Sequence, residues 1–544
     1  MNLSKRGTDS RTRISCVSCR KRHVKCDGQQ PCQRCWQDGI TCAYSATSGF
    51  QLKEWEPREA GLPDAPAGRQ PSKETSRISF VSENKRVEAR YEVLSPNSVS
   101  ELHAGNTPGA TCSPAMKSTP TSQGAVPVHL PVTDPTEGFF MERYCTIIGP
   151  WFDMFDSKGH WSHIVPHLAL SNKSLFRSIV ASCAKQYSLV ARESSIFALD
   201  YYNHALKELT QALDDPEVIG SAAVFASCLL TGYCEMIDSR SLDWQTHLRG
   251  TFSLCSTQGW HGLSGGVAQS CFWVYCRMDL LASLARAEKT SLNPRLWLPE
   301  GASLAPSSQE QSWDSDSWSN QVVLFLAHTH NLLCDVRKSS YGTADRLRLL
   351  ETWTAVSNAL HRHEASRPAT FHPVVHLPPS STTMPFERIV YVSATACAAT
   401  QMLHLAFFLL ILAFPDQSAM ERQVRLTSYA VAQQALTLSQ RIIGNSISNR
   451  LTIAWANAVQ LLFTAGLILV ADNERTALVE VLKDIGSATG WSVHGHIESL
   501  NKWWASSDDG VGREVPPLGR RLDGPWMLQR VGDSLLSLSA DILA

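Results

Sequence analysis

The sequence predicts a chain in three parts: a small zinc-stabilised N-terminal domain of two short helices around a two-zinc cluster, a disordered linker, and a large all-α C-terminal domain. Three observations predict it. Six of the 16 cysteines fall between Cys16 and Cys42, residues 46–137 are rich in Pro, Ser, Thr and Gly, and apolar residues return at helical spacing from about Gly138. With 544 residues, 43% hydrophobic and 16 tryptophans, the chain is too long for one ordinary domain and has the material for a large core.

The N-terminal part, residues 1–45, is argued from its thiols. Cys16, Cys19, Cys26, Cys32, Cys35 and Cys42 spell C-x2-C-x6-C-x5-C-x2-C-x6-C, so each cysteine of the first half recurs sixteen residues later. Met1–Ser15 is polar and basic, without the apolar run of a secretory signal, which points to a reducing compartment and to metal rather than disulfides. Tetrahedral zinc takes four sulfur ligands, so two zincs served by six thiolates require two thiolates to bridge. Under the repeat's pseudo-twofold symmetry the bridging pair occupies equivalent positions, such as Cys16 and Cys32. A one-zinc ribbon on Cys16, Cys19, Cys32 and Cys35 would leave Cys26 and Cys42 without a role. So small a unit has no core of its own, and metal binding supplies its folding free energy.

Charge is distributed unevenly. The net charge of −1 averages a basic head, with nine Lys/Arg against three Asp/Glu in residues 1–50, over a mildly acidic remainder. A polyanion partner is expected for the head alone. The two halves of the cysteine repeat differ in the same sense. Arg20-Lys21-Arg22-His23-Val24-Lys25 fills the first loop and Trp36-Gln37-Asp38-Gly39-Ile40-Thr41 the second, so only the first can face phosphates.

This spacing, with Arg20, Arg22, Lys25, Asp27 and Pro31 between the ligands, resembles the fungal binuclear zinc cluster family of transcription factors. The resemblance implies two zinc ions on the six cysteines, with Cys16 and Cys32 bridging. It also implies a helix in the major groove of double-stranded DNA, Arg22 and His23 at base edges of CGG-like triplets, and Arg20 and Lys25 on phosphates, with Lys21 in the same basic turn. His23 departs from the lysine of the best-known members. A second resemblance supports the first. Tyr144–Leu170, Asp243-Trp244 with His247-Leu248-Arg249-Gly250, and Phe272-Trp273 with Tyr275, Arg277 and Asp279 look like the fungal-specific regulatory domain that follows such clusters, here spanning residues 138–505.

The linker, residues 46–137, has no aromatic residue between Tyr91 and Phe139 and cannot bury enough surface to offset chain entropy. Within it Ile78–Leu94 places Phe80, Val87 and Leu94 seven apart, barely two heptads, which reads as a transient helix more than a coiled coil. In the body, Leu199, Tyr202, Leu206, Leu209 and Leu213 step along one helix face. Val218–Met236, Cys271–Arg286, Val322–Val336, Arg388–Phe414, Ser428–Ile443 and Leu451–Ala471 read as further helices. The body ends near Trp504, and the tail, 506–544, admits a last helix at Trp526–Leu543.

Other signals carry plainer readings. Val390–Phe414 and Thr452–Ala471 lack charge and are long enough to cross a bilayer, yet polar residues within them favour buried helices and no membrane. Gly262-Leu263-Ser264-Gly265-Gly266 fits G-x-S-x-G, a hydrolase motif only on a strand-to-helix turn, and no strand pattern precedes it. His328/His330, His361/His363 and His494/His496 would diverge on a helix and read as surface or capping residues. Cys183, Cys228, Cys271 and Cys397 read as small buried hydrophobes. Gln309–Trp318, acidic and aromatic, reads as a polar loop more than an activation segment. With no paired carboxylates, phosphate loop or triad, an enzyme is not expected. The expectation is a nuclear regulator of RNA polymerase II genes that meets the transcription machinery and serves a metabolic or secondary-metabolite gene cluster, with a homodimer admitted through the linker or body. The alternative is a zinc-folded co-regulator working through protein–protein contacts.

Overall fold

The computed structural model describes residues 18–19, 22, 24, 26, 32–40, 42, 131–192, 196–238, 243–306, 312–337, 342–380, 384–511 and 528–532. The expected linker helix at Ile78–Leu94 lies outside them, as does most of Trp526–Leu543. The chain divides into two compact units, residues 1–79 and 80–544. In the first, α1 is Gln33–Gln37.

The second unit is built almost wholly of helices. Its first half holds α2 (Pro135–Arg143), α3 (Gly149–Phe152), α4 (Val165–Ala169), α5 (Lys173–Ala191), α6 (Ile196–Asp214), α7 (Ala222–Met236), α8 (Asp243–Gln258) and α9 (Gly266–Arg286). Next come α10 (Ser315–Val336), α11 (Thr343–Ala365), β1 (Val375–Leu377), β2 (Arg388–Val390), α12 (Ala394–Leu412) and α13 (Ala419–Leu426). The rest is α14 (Tyr429–Ser448), α15 (Thr452–Trp455), α16 (Val459–Gly466), α17 (Asp472–Thr489) and α18 (His494–Val511). Caps start them where the sequence offers short polar side chains. Asn172 accepts from Leu175 N at 2.9 Å, Asp314 from Ser317 N at 2.9 Å and Ser393 from Ala396 N at 3.0 Å, each satisfying an orphan helix donor.

One hydrophobic cluster runs from Phe140 to Val531. In it α5 packs on α6 and α7, α7 on α8 and α9, and α12 on α10 and α14. α12 is apolar on all sides and is the one described helix long and apolar enough to cross a membrane, with 89% of its most apolar window buried in the body. Its polar residues serve the packing against α14. Gln401 Nε2 donates to Ile442 O and Ser446 Oγ, both at 2.8 Å, and Asn445 Nδ2 donates to Cys397 O at 2.9 Å.

Two expected helices come out differently. Arg388–Val390 pairs antiparallel with Val375–Leu377, and the helix starts only after Ser393. The strand holds because α14 supplies its polar partners. Tyr391 N donates to Asn449 Oδ1 at 2.9 Å, Asn449 Nδ2 to Ile389 O at 2.8 Å, and Ile389 N to Ser448 Oγ at 3.1 Å. A Cβ on Gly444 would stand 2.9 Å from Glu387 O, so glycine allows this approach. Leu451–Ala471 is likewise two short helices broken at Ala456–Ala458. Carbonyls left beyond the second are met from α18, Trp503 Nε1 donating to Leu467 O at 2.8 Å and Trp504 Nε1 to Gly466 O at 3.1 Å.

Of the six paired histidines, His361 and His494 are exposed as expected, His328 and His496 are part-buried, and His330 and His363 are buried, which corrects the surface reading for the last two. His330 Nε2 donates to Glu288 O, and His363 Nε2 donates to Trp318 O at 3.0 Å while stacking on that indole. Gln309–Trp318 is also more than a loop: Asp314 caps α10 and Trp318 is fully buried. Residues 528–532 are helical, with Leu528 and Val531 in the main core. Cys183, Cys228, Cys271 and Cys397 are buried as expected, and burial pushes the thiols of Cys228 and Cys397 up to about 12, leaving them protonated.

Replacing Asn449 by Ala should lower stability by about 2 kcal/mol, read as a reduced denaturant midpoint, because several buried partners lose their bonds together. Burial also lowers His330, His363 and His496 to about 4 and His404 to about 3. These groups stay neutral in the fold but charge in the unfolded chain below about pH 6.5. Their stabilisation is therefore present above that pH and lost as pH falls toward 4. Denaturation midpoints at pH 7.5 and 5 should show the loss, and His404→Met should reduce it.

Candidate metal centre

The first unit is organised by sulfur. Ser18 and Cys19 are helical, and the chain after them turns back, Val24 N donating to Cys19 O at 3.1 Å. Cys32 is the N-cap of α1, and Ile40 N returns to Cys35 O at 2.9 Å. Gly39 makes this return with φ +65, a conformation that glycine adopts without a side-chain penalty. Cys19, Cys26, Cys32 and Cys35 are buried, and among the described residues Val24 and Cys42 are the hydrophobic residues packed against them. Four thiols and a valine are too little apolar surface to fold a domain.

The sulfurs fit a thiolate-bound metal. Cys19 Sγ lies 3.5 Å from Cys32 Sγ and 3.8 Å from Cys35 Sγ, and none of these cysteines is disulfide-bonded. A disulfide would require about 2.05 Å. Sulfurs at about 2.3 Å from one tetrahedral ion stand about 3.8 Å apart, close to what is found. Backbone N–H groups also point at them, from Cys35 to Cys32 Sγ at 3.4 Å and from Cys32 to Cys42 Sγ at 3.2 Å, favouring the charged form. Among the described residues, Cys19, Cys32 and Cys35 are the one His/Cys/Asp/Glu group close enough to share an ion. Cys26 and Cys42 pack beside them, and Cys16 lies outside the described residues.

Of the basic turn, Arg22 is described, while Arg20, Lys21, His23 and Lys25 lie outside the described residues. Arg22 Nη1 donates to Asp38 Oδ2 at 2.9 Å, and both side chains are part-exposed. That hydrogen bond raises the guanidinium pKa. Asp38 was missed as a functional residue, although the repeat points to it. Arg22 and Asp38 stand sixteen residues apart, as do Cys19 and Cys35, so the ion pair joins equivalent positions of opposite charge.

The G-x-S-x-G stretch is a turn between α8 and α9. Ser264 Oγ accepts from His261 N at 2.9 Å, and Gly262 N is bound to Trp297 O at 2.7 Å. No strand leads into it, so the strained elbow that exposes a nucleophile is not formed.

Comparison with known proteins agrees with this geometry. Residues 14–49 match the fungal Zn(2)-Cys(6) binuclear cluster domain, and residues 138–527 match the fungal specific transcription factor domain. The transcription activator AMTR1 of Alternaria alternata is 24% identical over 332 residues, 51% of this chain and 43% of that protein. The transcription factor PDR1 of Candida glabrata is 33% identical over 98 residues, 18% of this chain and 8% of that protein. The fumonisin cluster-specific transcription factor FUM21 of Gibberella moniliformis is 34% identical over 58 residues, 11% of this chain and 8% of that protein. The chain thus spans less than half the length of the curated relatives it matches. No solved structure matches it.

Metal analysis of the purified chain should give two zinc ions. Chelation should then open Cys19, Cys26, Cys32 and Cys35 to a thiol reagent while leaving the circular dichroism of the helical body nearly unchanged. One zinc per chain, or thiols that stay protected after chelation, would contradict the cluster.

Proposed function

The chain belongs to the fungal zinc-cluster transcription factor family, and we propose that it acts in the nucleus as a sequence-specific regulator, binding double-stranded DNA through residues 1–45. In this family the cluster domain binds two zinc ions, and the transcription-factor role implies no enzymatic activity of its own. The reading assigns Cys16, Cys19, Cys26, Cys32, Cys35 and Cys42 as the ligands, with Cys16 and Cys32 shared. Residues 46–137 serve as the linker, 138–505 as the regulatory body and 506–544 as the tail.

The observation that carries the proposal is the asymmetry of an otherwise repeated scaffold. The two halves bring equivalent sulfurs together, yet only the first carries a cationic turn, and Asp38 of the second holds Arg22 by its guanidinium. A side chain tethered on the cluster loses less freedom on meeting a base edge than a free one. Arg22 and His23 are assigned to the bases of a CGG-like triplet, and Arg20, Lys21 and Lys25 to phosphates. One cluster touching about three base pairs gives too little discrimination for a genome, which favours a homodimer or a second DNA-bound partner. Control of RNA polymerase II genes through the transcription machinery follows from this role. The match to a regulator named for the fumonisin cluster supports control of a secondary-metabolite gene cluster.

Arg22→Ala should cost about 1–3 kcal/mol of discrimination between a CGG-containing duplex and a scrambled one, measured by fluorescence anisotropy. Binding by the unaltered chain should also fall steeply with salt. Equal, weak affinity for both duplexes would instead favour a co-regulator that works through protein contacts.

A further inference from the structure

A cavity of about 160 Å3 lies inside the helical body, where α3, α7, α8 and α9 meet the α15–α16 turn and the start of α18. Its wall is mostly apolar, with Trp151, Trp244 and Trp491 as its largest residues. A cavity of about this size with apolar lining holds a benzene-sized molecule.

What sets it apart is the polar complement of that wall. Trp151 Nε1, Tyr233 Oη, Gln460 Nε2 and Trp491 Nε1 are buried without a hydrogen-bond partner, and all four residues line the cavity. Other buried indoles of the body are paired, Trp273 donating to Gly262 O at 3.1 Å, Trp297 to Leu292 O at 3.2 Å and Trp455 to Ser446 O at 3.1 Å, whereas Trp161 Nε1, away from the cavity, is also unmet. Leaving a buried donor unmet destabilises a fold, so a gathering of such groups at one opening indicates that something else meets them.

Arg277 adds a charge to the same wall. It is 4% exposed, donates Nη2 to Phe152 O at 2.8 Å and faces the Phe155 ring. The carboxylates that act on it are engaged elsewhere. Asp153 accepts from Trp161 N and Ser162 N at 2.8 Å, and Asp156 binds His160 Nδ1 at 2.8 Å and Ser270 Oγ at 2.6 Å. Neither is within ion-pair distance of Arg277 among the described residues. A buried cation without a contact counter-ion is costly, and its planar guanidinium suits a carboxylate.

The geometry points to a binding site for a small carboxylate with an aromatic or branched aliphatic body, its apolar part among the tryptophans and its oxygens accepting from the Arg277, Tyr233 and Gln460 side of the wall. This goes beyond DNA reading and does not depend on it.

The test uses the full zinc-loaded chain with benzoate, phenylacetate and isovalerate as probes and toluene as the apolar control, read by titration calorimetry and tryptophan fluorescence. At least one carboxylate should bind saturably at one site per chain and at least tenfold more tightly than toluene. Tyr233→Phe should weaken that binding several-fold while raising the thermal midpoint of the ligand-free chain, since it removes an unmet hydroxyl. Arg277→Met should abolish the preference over toluene. If that variant does not fold, Gln460→Leu takes its place, with a several-fold loss expected. Failure of all three carboxylates to bind saturably, toluene binding as tightly, or unchanged affinity in Tyr233→Phe would overturn the proposal.

Discussion

Thiolates held within 4 Å of one another repel, and a metal ion among them turns that repulsion into attraction. Cys19, Cys32 and Cys35 stand close enough to share an ion, so the zinc ions of this domain act as its core. The surrounding structure is correspondingly spare. Among the described residues, Cys32 caps α1, Gly39 turns the chain back, and the Arg22–Asp38 ion pair joins the two halves. Each device acts on residues a few positions from a sulfur. The zinc cluster therefore underlies the fold of this unit, with Arg22 tied to it through Asp38.

The body obeys a different constraint, in which long apolar helices must find partners for the polar groups they carry inside. α12 does so through Gln401, Cys397 and Ser393, and α14 through Asn445 and Asn449, which also hold the edge of the small hairpin. At the end of α16 the indoles of Trp503 and Trp504 take the same role. Other buried polar atoms, such as Trp161 Nε1 and His404 Nδ1, also go unmet, but around the cavity four of them gather on one wall.

The legibility of these two parts in the sequence follows from how far each interaction reaches along the chain. Cysteine spacing encodes ligand geometry locally, so the cluster, its repeat and its basic loop could be read directly. The long amphipathic and apolar helices were legible for the same reason. What escaped depended on distant partners. Arg388–Val390 is a strand because Ser448 and Asn449 lie beside it, and residues 451–471 break because α18 supplies donors to their carbonyls. His330 and His363 are buried because Glu288 O and Trp318 O meet them, which their pairwise spacing does not reveal. Asp38 was within reach, since the sixteen-residue offset that relates the cysteines also relates it to Arg22.

One feature of the body bears on how the protein is made. Phe140 and Val531 belong to the same hydrophobic cluster, and Gln186 Nε2 reaches Thr489 O across 303 positions. The main cluster is therefore not complete until its last residues have joined it. On the ribosome, the helices that emerge first must wait, with apolar faces uncovered, until those near residues 490–531 have left the exit tunnel. Until then those apolar faces stay open to non-native contacts, whereas the metal-held head can settle as soon as Cys42 is out.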